Sequence, residues 1–328
     1  MSKLFIFGST GDLVKRKVLP ALHHVRGLEV YAIGRKQMEH EDYHEVYCPE
    51  CENIFLKRLK YIQIDFSSIV ESIKPYLEKD EVNYFYVSLP PDMIRGILES
   101  LSYLKEYKIK ILVEKPFGSN LKEAELLFDF IKENNLEENV FLADHYIFKK
   151  NVLSLESSDY SNVKLVSLEK LGLEKRGYYD SVGALRDMVQ SHFLNILFRL
   201  VPNIDLNNFK ILDFKLGQYE EYVSELGDES KTETYVKLRV AFENLEVEFV
   251  TGKGFDKKES FLVLGKNSLD FGDDNSYVAM FHDFLNGDKK VFPTIENAIK
   301  SWKFIENVEQ NKPSLDYYKK GSSASNFM

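Results

Sequence analysis

Cysteine is scarce in this chain: 328 residues hold two, in Cys48-Pro49-Glu50-Cys51, with His44 four residues before the first. Structural zinc wants four protein ligands, usually from two such knuckles, and no second knuckle exists; the expectation is two reduced thiols in a surface connection and no metal. Long apolar runs are also missing. None approaches the roughly 20 residues that cross a bilayer, and Met1-Ser2-Lys3 leads straight into a strand pattern, so a cytoplasmic protein with no membrane partner is expected. Positive charge is in deficit, 43 Lys and Arg against 52 Asp and Glu, for a formal net charge of −9. That excludes bulk attraction to nucleic acid or an anionic membrane and leaves any anion site as a local basic pocket. Neither an internal repeat nor a low-complexity block occurs.

What is present is an ordinary globular chain, too long for one typical core, so two domains are expected. Leu4-Phe-Ile-Phe7 before Gly8 is a short apolar run that suits a buried parallel strand. Val30–Ile33, Tyr84–Val87, Ile109–Val113 and Val140–Leu142 repeat it, with helical patterns over 13–25, 92–107 and 121–134 between them. Alternating strand and helix predicts a doubly wound, Rossmann-like parallel sheet over residues 1–150. Pro20 predicts an irregular first helix. After a polar, serine-rich linker over 151–162, the pattern changes. Strands are expected at 163–168, 234–242, 247–251 and 261–264, and helices at 185–200, 276–285 and 295–308. Residues 151–328 therefore read as an α+β domain with a largely antiparallel sheet, ending in a frayed tail over 321–328.

The first glycine turn is incomplete. Gly8-Ser9-Thr10-Gly11-Asp12-Leu13 lacks the full GxGxxG spacing, and alone it reads equally well as a tight strand-to-helix turn. Its position, after the first strand and opening the first helix, is where backbone N–H groups can face a dinucleotide phosphate, with Lys15, Arg16 and Lys17 adding charge. Where an NAD-binding fold usually carries an acid, the second strand ends in Gly34-Arg35-Lys36. Cations there favour the extra phosphate of NADP, with NAD also usable. Pro90, after the third strand pattern, joins the expected cofactor positions. His192 closes the run Gly183-Ala-Leu-Arg-Asp-Met-Val-Gln-Ser-His192, and Asp144-His145-Tyr146 lies upstream. A histidine can take a proton from an alcohol near neutral pH. Singly, each of these is more often structural: a packed histidine, a solvated lysine face at Lys149-Lys150, a surface pair at Arg186-Asp187.

Taken in order, GSTGDLVKRKVLPAL from Gly8, EKPFG from Glu114, DHYIFK from Asp144, RGYYDSVGALRDMVQSH from Arg176 and Thr232-Glu-Thr followed by Thr251-Gly-Lys253 resemble the signatures of glucose-6-phosphate dehydrogenases. The resemblance spans both halves. It implies that His192 is the general base for the sugar C1 hydroxyl and that Asp144 holds its imidazole. Lys115, Glu169 and Asp187 would bind the sugar near its reacting end, with Lys115 also touching the cofactor, while His145, Tyr146, Lys149 and Lys253 would hold the substrate phosphate. It further implies a sugar-phosphate substrate, oxidation to a lactone with hydride transfer to NADP, and a homodimer through the C-terminal sheet. Against the family pattern, the second half is shortened, Leu142-Ala143 stand where an Arg is common, and Ser191 replaces an Asn beside the base. Two rivals stay open on the residues: a dehydrogenase of unphosphorylated or amino sugars, and a non-catalytic NADP-binding regulator.

Overall fold

The computed structural model describes residues 2–174, 177–272 and 275–327. Arg176, at the head of the motif that ends in His192, and Met328 lie outside them. Two compact units form, Met1–Phe148 with Asp274–Ile295, and Lys149–Asp273 with Glu296–Met328. A single break at residue 150 does not describe this division, because the segment after 273 returns to the first unit.

The first unit is built on six parallel strands: β1 Ser2–Phe7, β2 Leu28–Gly34, β3 Leu59–Gln63, β4 Val82–Val87, β5 Lys108–Val113 and β6 Val140–Leu142, ordered β3-β2-β1-β4-β5-β6. This is the strand order of a doubly wound dinucleotide fold. Its centre is aromatic. Phe5 stacks on Tyr31 at 4.9 Å and on Phe85 at 5.2 Å, so β2, β1 and β4 are tied ring to ring as well as through the ladder. The first helical pattern is irregular, as Pro20 predicts: a π-helical turn over Val14–Val18 passes into an α-helix over Leu19–His23 with Pro20 near its start, where a missing N–H does no harm. Pro91–Ser102 starts on proline and buries Ile94, Ile97, Leu98 and Leu101, one face of a helix. Asn120 caps Leu121–Glu133 by accepting from the Glu123 N–H at 3.0 Å.

The helix Ser276–Asn286 belongs to this unit for a plain reason. Its Phe281 meets the ring of Tyr86 at 5.3 Å, and its Phe284 meets Tyr84 and Phe141 at 5.3 and 5.2 Å. Linear order could not show this, because strand and helix lie far apart in the chain. The cysteines also depart from expectation: Cys48 and Cys51 are joined as a disulfide rather than left as two thiols. The turn after the helix His40–Tyr47, closed by the Cys51 N–H on the Cys48 carbonyl at 3.0 Å, brings their Cα atoms to 5.3 Å, inside bridging range.

The second unit carries a mixed seven-stranded sheet of β7 Asn162–Leu168, β8 Lys210–Tyr219, β9 Tyr235–Ala241, β10 Glu246–Gly252, β11 Glu259–Leu264, β12 Asn267–Asp270 and β13 Leu315–Tyr318, ordered β12-β11-β7-β10-β9-β8-β13. Most pairs are antiparallel, but β7 with β10 and β8 with β13 are parallel. The expected helix at 185–200 is two helices in one. Leu185–Phe193 is π-helical and Leu194–Leu200 is α-helical. As far as Phe327 the tail is held rather than frayed: the Phe327 ring packs against Tyr318 at 5.1 Å and Tyr235 at 5.3 Å. Among the described residues, no helix is long and apolar enough to cross a membrane.

Candidate active site

In the first unit the expected residues gather at the carboxyl ends of the strands, the edge where ligands bind in open parallel sheets. Gly8 leaves β1 at a φ of +79°, and a Cβ there would lie 2.0 Å from the Ser88 carbonyl oxygen, so no other residue fits. The Gly11 N–H closes the turn on the Gly8 carbonyl at 2.9 Å. Ser9 is fully buried, and its hydroxyl donates to the Ile33 carbonyl at 2.8 Å, while Tyr43 donates to the Ser9 carbonyl at 2.8 Å. Ser9 therefore shapes the loop from within. Thr10 is half-buried and Gly11 exposed; Asp12 pairs with Arg16 at 3.3 Å at the surface, Leu13 is half-buried and Lys17 exposed.

After β2, Arg35 and Lys36 are exposed, and the loop is pinned from beneath by Tyr61, whose hydroxyl donates to the Lys36 carbonyl at 2.5 Å. The Arg35 guanidinium lies 5.9 Å from the centre of the Phe66 ring. No acid follows this strand before Glu39, so the loop offers cations alone. Pro90 is exposed and immediately precedes the helix Pro91–Ser102.

Lys115 follows β5 through a cis peptide to Pro116. Beneath it lies a carboxylate that the motif contains but whose role its spacing does not reveal. Glu114 is 7% exposed, accepts from the Tyr86 hydroxyl at 2.5 Å and from the Lys115 N–H at 3.2 Å, and has the Tyr277 hydroxyl at 3.5 Å. Burial pushes its carboxyl above the usual range, against the Tyr86 hydrogen bond and the charge of Lys115. After β6, Asp144 is 2% exposed and accepts from the Tyr146 N–H at 2.8 Å, which fixes the local turn. His145 is half-buried between two rings, stacked on Tyr277 at 5.3 Å and edge-on to Tyr146 at 5.0 Å.

In the second unit, register does what sequence distance hides. β7 and β10 run parallel with Leu168 opposite Gly252, so the next residues, Glu169 and Lys253, leave the sheet side by side. Their side chains pair at 2.6 Å. Lys253 is almost buried, its Nζ lies 5.0 Å from the centre of the Tyr179 ring, and its carbonyl accepts from the Tyr318 hydroxyl at 2.7 Å. Tyr179 is a second residue that spacing did not single out. Burial pushes its phenol well above the ordinary value, and the charges of Asp187, Glu233 and Glu169 add to the shift. Asp187 is half-buried and His192 fully buried, both on the π-helical segment. π-Helical turns inside longer helices are common at functional sites. Arg186 forms a two-pronged contact with Glu309, at 3.0 and 2.9 Å. Lys149 is buried at the head of the short helix Lys150–Leu153.

Each half thus offers a different chemistry. The first presents a glycine turn and a cationic loop suited to a phosphorylated dinucleotide. The second presents an imidazole, two carboxylates and a buried ammonium, suited to a hydroxylated anion.

Comparison with known proteins agrees with that division. Residues 5–153 match the family model "Glucose-6-phosphate dehydrogenase, NAD binding domain", and residues 154–215 match that family's C-terminal domain. The chain is 30% identical over 288 residues to the glucose-6-phosphate 1-dehydrogenase of Helicobacter pylori strain 26695, an alignment that covers 72% of this chain and 68% of that protein. The crystal structure of glucose-6-phosphate 1-dehydrogenase from Mycobacterium avium superposes with a TM-score of 0.81 at 21% identity, covering 98% of this chain and 94% of that one. A glucose-6-phosphate dehydrogenase in complex with its substrate glucose 6-phosphate gives 0.80 at 21% identity, covering 98% and 95%. The last two speak for the fold, the first two for descent: the chain belongs to the glucose-6-phosphate dehydrogenase family.

Proposed function

We propose that this chain oxidises the C1 hydroxyl of glucose 6-phosphate to 6-phosphoglucono-δ-lactone and passes the hydride to NADP, as an oxidative step of the pentose phosphate pathway in the cytoplasm. What supports the reading is family membership together with residues of the right chemistry, Lys115, Asp144, His192 and Lys253, in the segments that resemble the family's motifs. A non-catalytic descendant would have had no reason to keep the acid, the base and the phosphate cation together.

The residues have distinct tasks in this reading. His192, as neutral imidazole, takes the proton from the C1 hydroxyl, and Asp144 stabilises the imidazolium that results. A bound nicotinamide cofactor would supply acceptance of the hydride that leaves C1. Lys115, Glu169 and Asp187 orient the sugar near C1, so that the proton acceptor and the hydride path are aligned before reaction. His145, Tyr146, Lys149 and Lys253 hold the phosphate dianion; two ammonium groups, an imidazole and a phenol form a suitable donor set.

The first-unit residues fit a dinucleotide. Gly8, Thr10, Gly11, Asp12 and Leu13 form the phosphate turn at a strand end, Ser9 supports it from below, and Lys17 and Pro90 flank it. Arg35 and Lys36 are exposed where a 2′-phosphate needs donors, which favours NADP over NAD. We also assign homodimer assembly to the seven-stranded sheet, where ion pairs such as Lys164 with Glu248, at 2.7 Å, alternate with apolar side chains.

The test is reduction of NADP and of NAD against a panel of glucose 6-phosphate, glucose, glucosamine 6-phosphate and galactose 6-phosphate. The expected winner is glucose 6-phosphate with NADP. A folded enzyme that prefers an unphosphorylated sugar, or reduces neither cofactor with any of the panel, overturns the proposal.

A further inference from the structure

We infer that Tyr277 is a positioning residue for His145, its ring fixing the plane in which the imidazole meets the substrate phosphate. The inference rests on the proposed function, which places His145 on the phosphate. It begins from a geometric fact: the two rings stack at 5.3 Å between centroids, only 15° from parallel. His145 follows β6, a strand of three residues, and its side chain is half-buried. Tyr146 adds an edge contact at 5.0 Å, but a neighbour on the same loop moves with that loop. Tyr277 comes from elsewhere.

Further contacts make Tyr277 a fixed surface. It is 4% exposed and sits in the first turn of Ser276–Asn286. That helix is held against the strands by Phe281 on Tyr86 and by Phe284 on Tyr84 and Phe141. The Tyr277 hydroxyl lies 3.5 Å from Glu114 Oε1, the carboxylate oxygen that also accepts from Tyr86. Glu114 in turn accepts from the Lys115 N–H through its other oxygen. One buried carboxylate therefore meets both the backbone of a sugar-end residue and the phenol that backs a phosphate-end residue.

The experiment measures kcat/KM for glucose 6-phosphate and for glucose in the parent, Tyr277→Phe, Tyr277→Leu, His145→Ala and the Tyr277→Leu/His145→Ala double variant, with the NADP KM as a check on the rest of the unit. Aromatic pairing is worth enough that Tyr277→Leu should lower the preference for the phosphorylated sugar roughly two- to twelvefold. Glucose turnover and the NADP KM should stay near parent values. Tyr277→Phe keeps the ring and should keep the preference, and in the double variant the Leu change should add nothing to His145→Ala. A purely structural tyrosine would instead lower both sugars together. Tyr277→Met, of similar volume, serves if the Leu variant does not fold.

An unchanged sugar preference in folded Tyr277→Leu or Tyr277→Met overturns the inference, and so does equal loss for both sugars, or a Phe variant as impaired as Leu. These results leave the proposed function standing. A parent enzyme with no preference for glucose 6-phosphate overturns the function on which the inference rests.

Discussion

Lys253→Met is the sharpest perturbation the site allows, because it removes one charge and keeps most of the apolar stem. The ammonium is almost buried, paired with Glu169 at 2.6 Å and lying over Tyr179. Two effects follow, and their sizes differ. Breaking a fully buried ion pair from one side costs roughly 3–5 kcal/mol. Here the Glu169 side chain is 35% exposed and can take up water once its partner is gone, so the stability loss should be about 1–2 kcal/mol. The second effect is on the substrate. A hydrogen bond to a charged group contributes about 1.5–3 kcal/mol, which at room temperature is roughly a ten- to hundredfold change.

The assay is therefore the ratio of kcat/KM for glucose 6-phosphate to that for glucose, measured on folded protein. The ratio should fall by that ten- to hundredfold factor, carried by the phosphorylated sugar alone. Lys253→Arg should fall between parent and Met, since charge is kept but the guanidinium is planar and longer. A folded Lys253→Met with an unchanged ratio would refute the assignment. Equal losses for both sugars would mean that Lys253 acts only through Glu169.

Three further outcomes are expected. Arg35→Ala should raise the NADP KM by about tenfold or more and leave the NADP-independent NAD KM nearly unchanged, because only NADP carries the phosphate that a guanidinium fork grips; steady-state kinetics with both cofactors decide it, and equal shifts count against it. His192→Asn should lose roughly two to four powers of ten in kcat with little change in sugar-phosphate binding, and Asp144→Asn should also lose turnover, the double variant being scarcely worse than His192→Asn; near-parent turnover in folded His192→Asn places the base elsewhere. Burial pushes the Glu309 carboxyl up, but the Arg186 hydrogen bonds and the Lys312 charge outweigh it and hold the group below the usual range. Its stabilising effect is then full above the ordinary glutamate value, about 4.3, and is lost as pH falls through the lower folded value. Glu309→Gln should cost about 1–2 kcal/mol near pH 7, discounted for partial exposure; a cost in denaturant melts that persists unchanged into strong acid removes the ionic account.

Much of this fold was legible, and the reasons are local. Leu4–Phe7 and Tyr84–Val87 write themselves as apolar runs because parallel strands are covered on both faces. The helices 91–102 and 121–133 follow from one-sided periodicity and their first-turn residues. β8 was missed because its apolar and charged residues alternate imperfectly across a bulge between Ile211 and Asp213. β13 is a four-residue edge strand with mostly exposed side chains, which leaves no run to see. The π-helical register around His192 was invisible as well. It changes which carbonyl each N–H meets, and an amphipathic pattern over nine residues is compatible with either register. Glu169 and Lys253 could be named from motifs, but their pairing is a property of β7 lying beside β10. Tyr277 carried no motif signal at all; only the return of its helix to the first unit brings it under His145.

The placement of β7 against β10 also explains how residues far apart in the sequence reach one edge of the second sheet. In an antiparallel pair, adjacent strands end at opposite edges, and residues that follow them diverge. A parallel pair ends at one edge, so the residues after β7 and β10 emerge together, with the Glu169 N–H on the Gly252 carbonyl at 2.8 Å. The six strands of the first unit obey the same rule, and Gly8, Arg35, Glu114, Lys115 and Asp144 all follow strand ends there. What the site needs is thus the register of a few strands and the residues just beyond them. Connections elsewhere can contract without moving either. A one-residue deletion inside β7 or β10 would by contrast shift Glu169 against Lys253 and turn the strand's buried side chains outward. The ends of these strands are therefore where tolerance to change should be lowest, and the long connections between them where it should be highest.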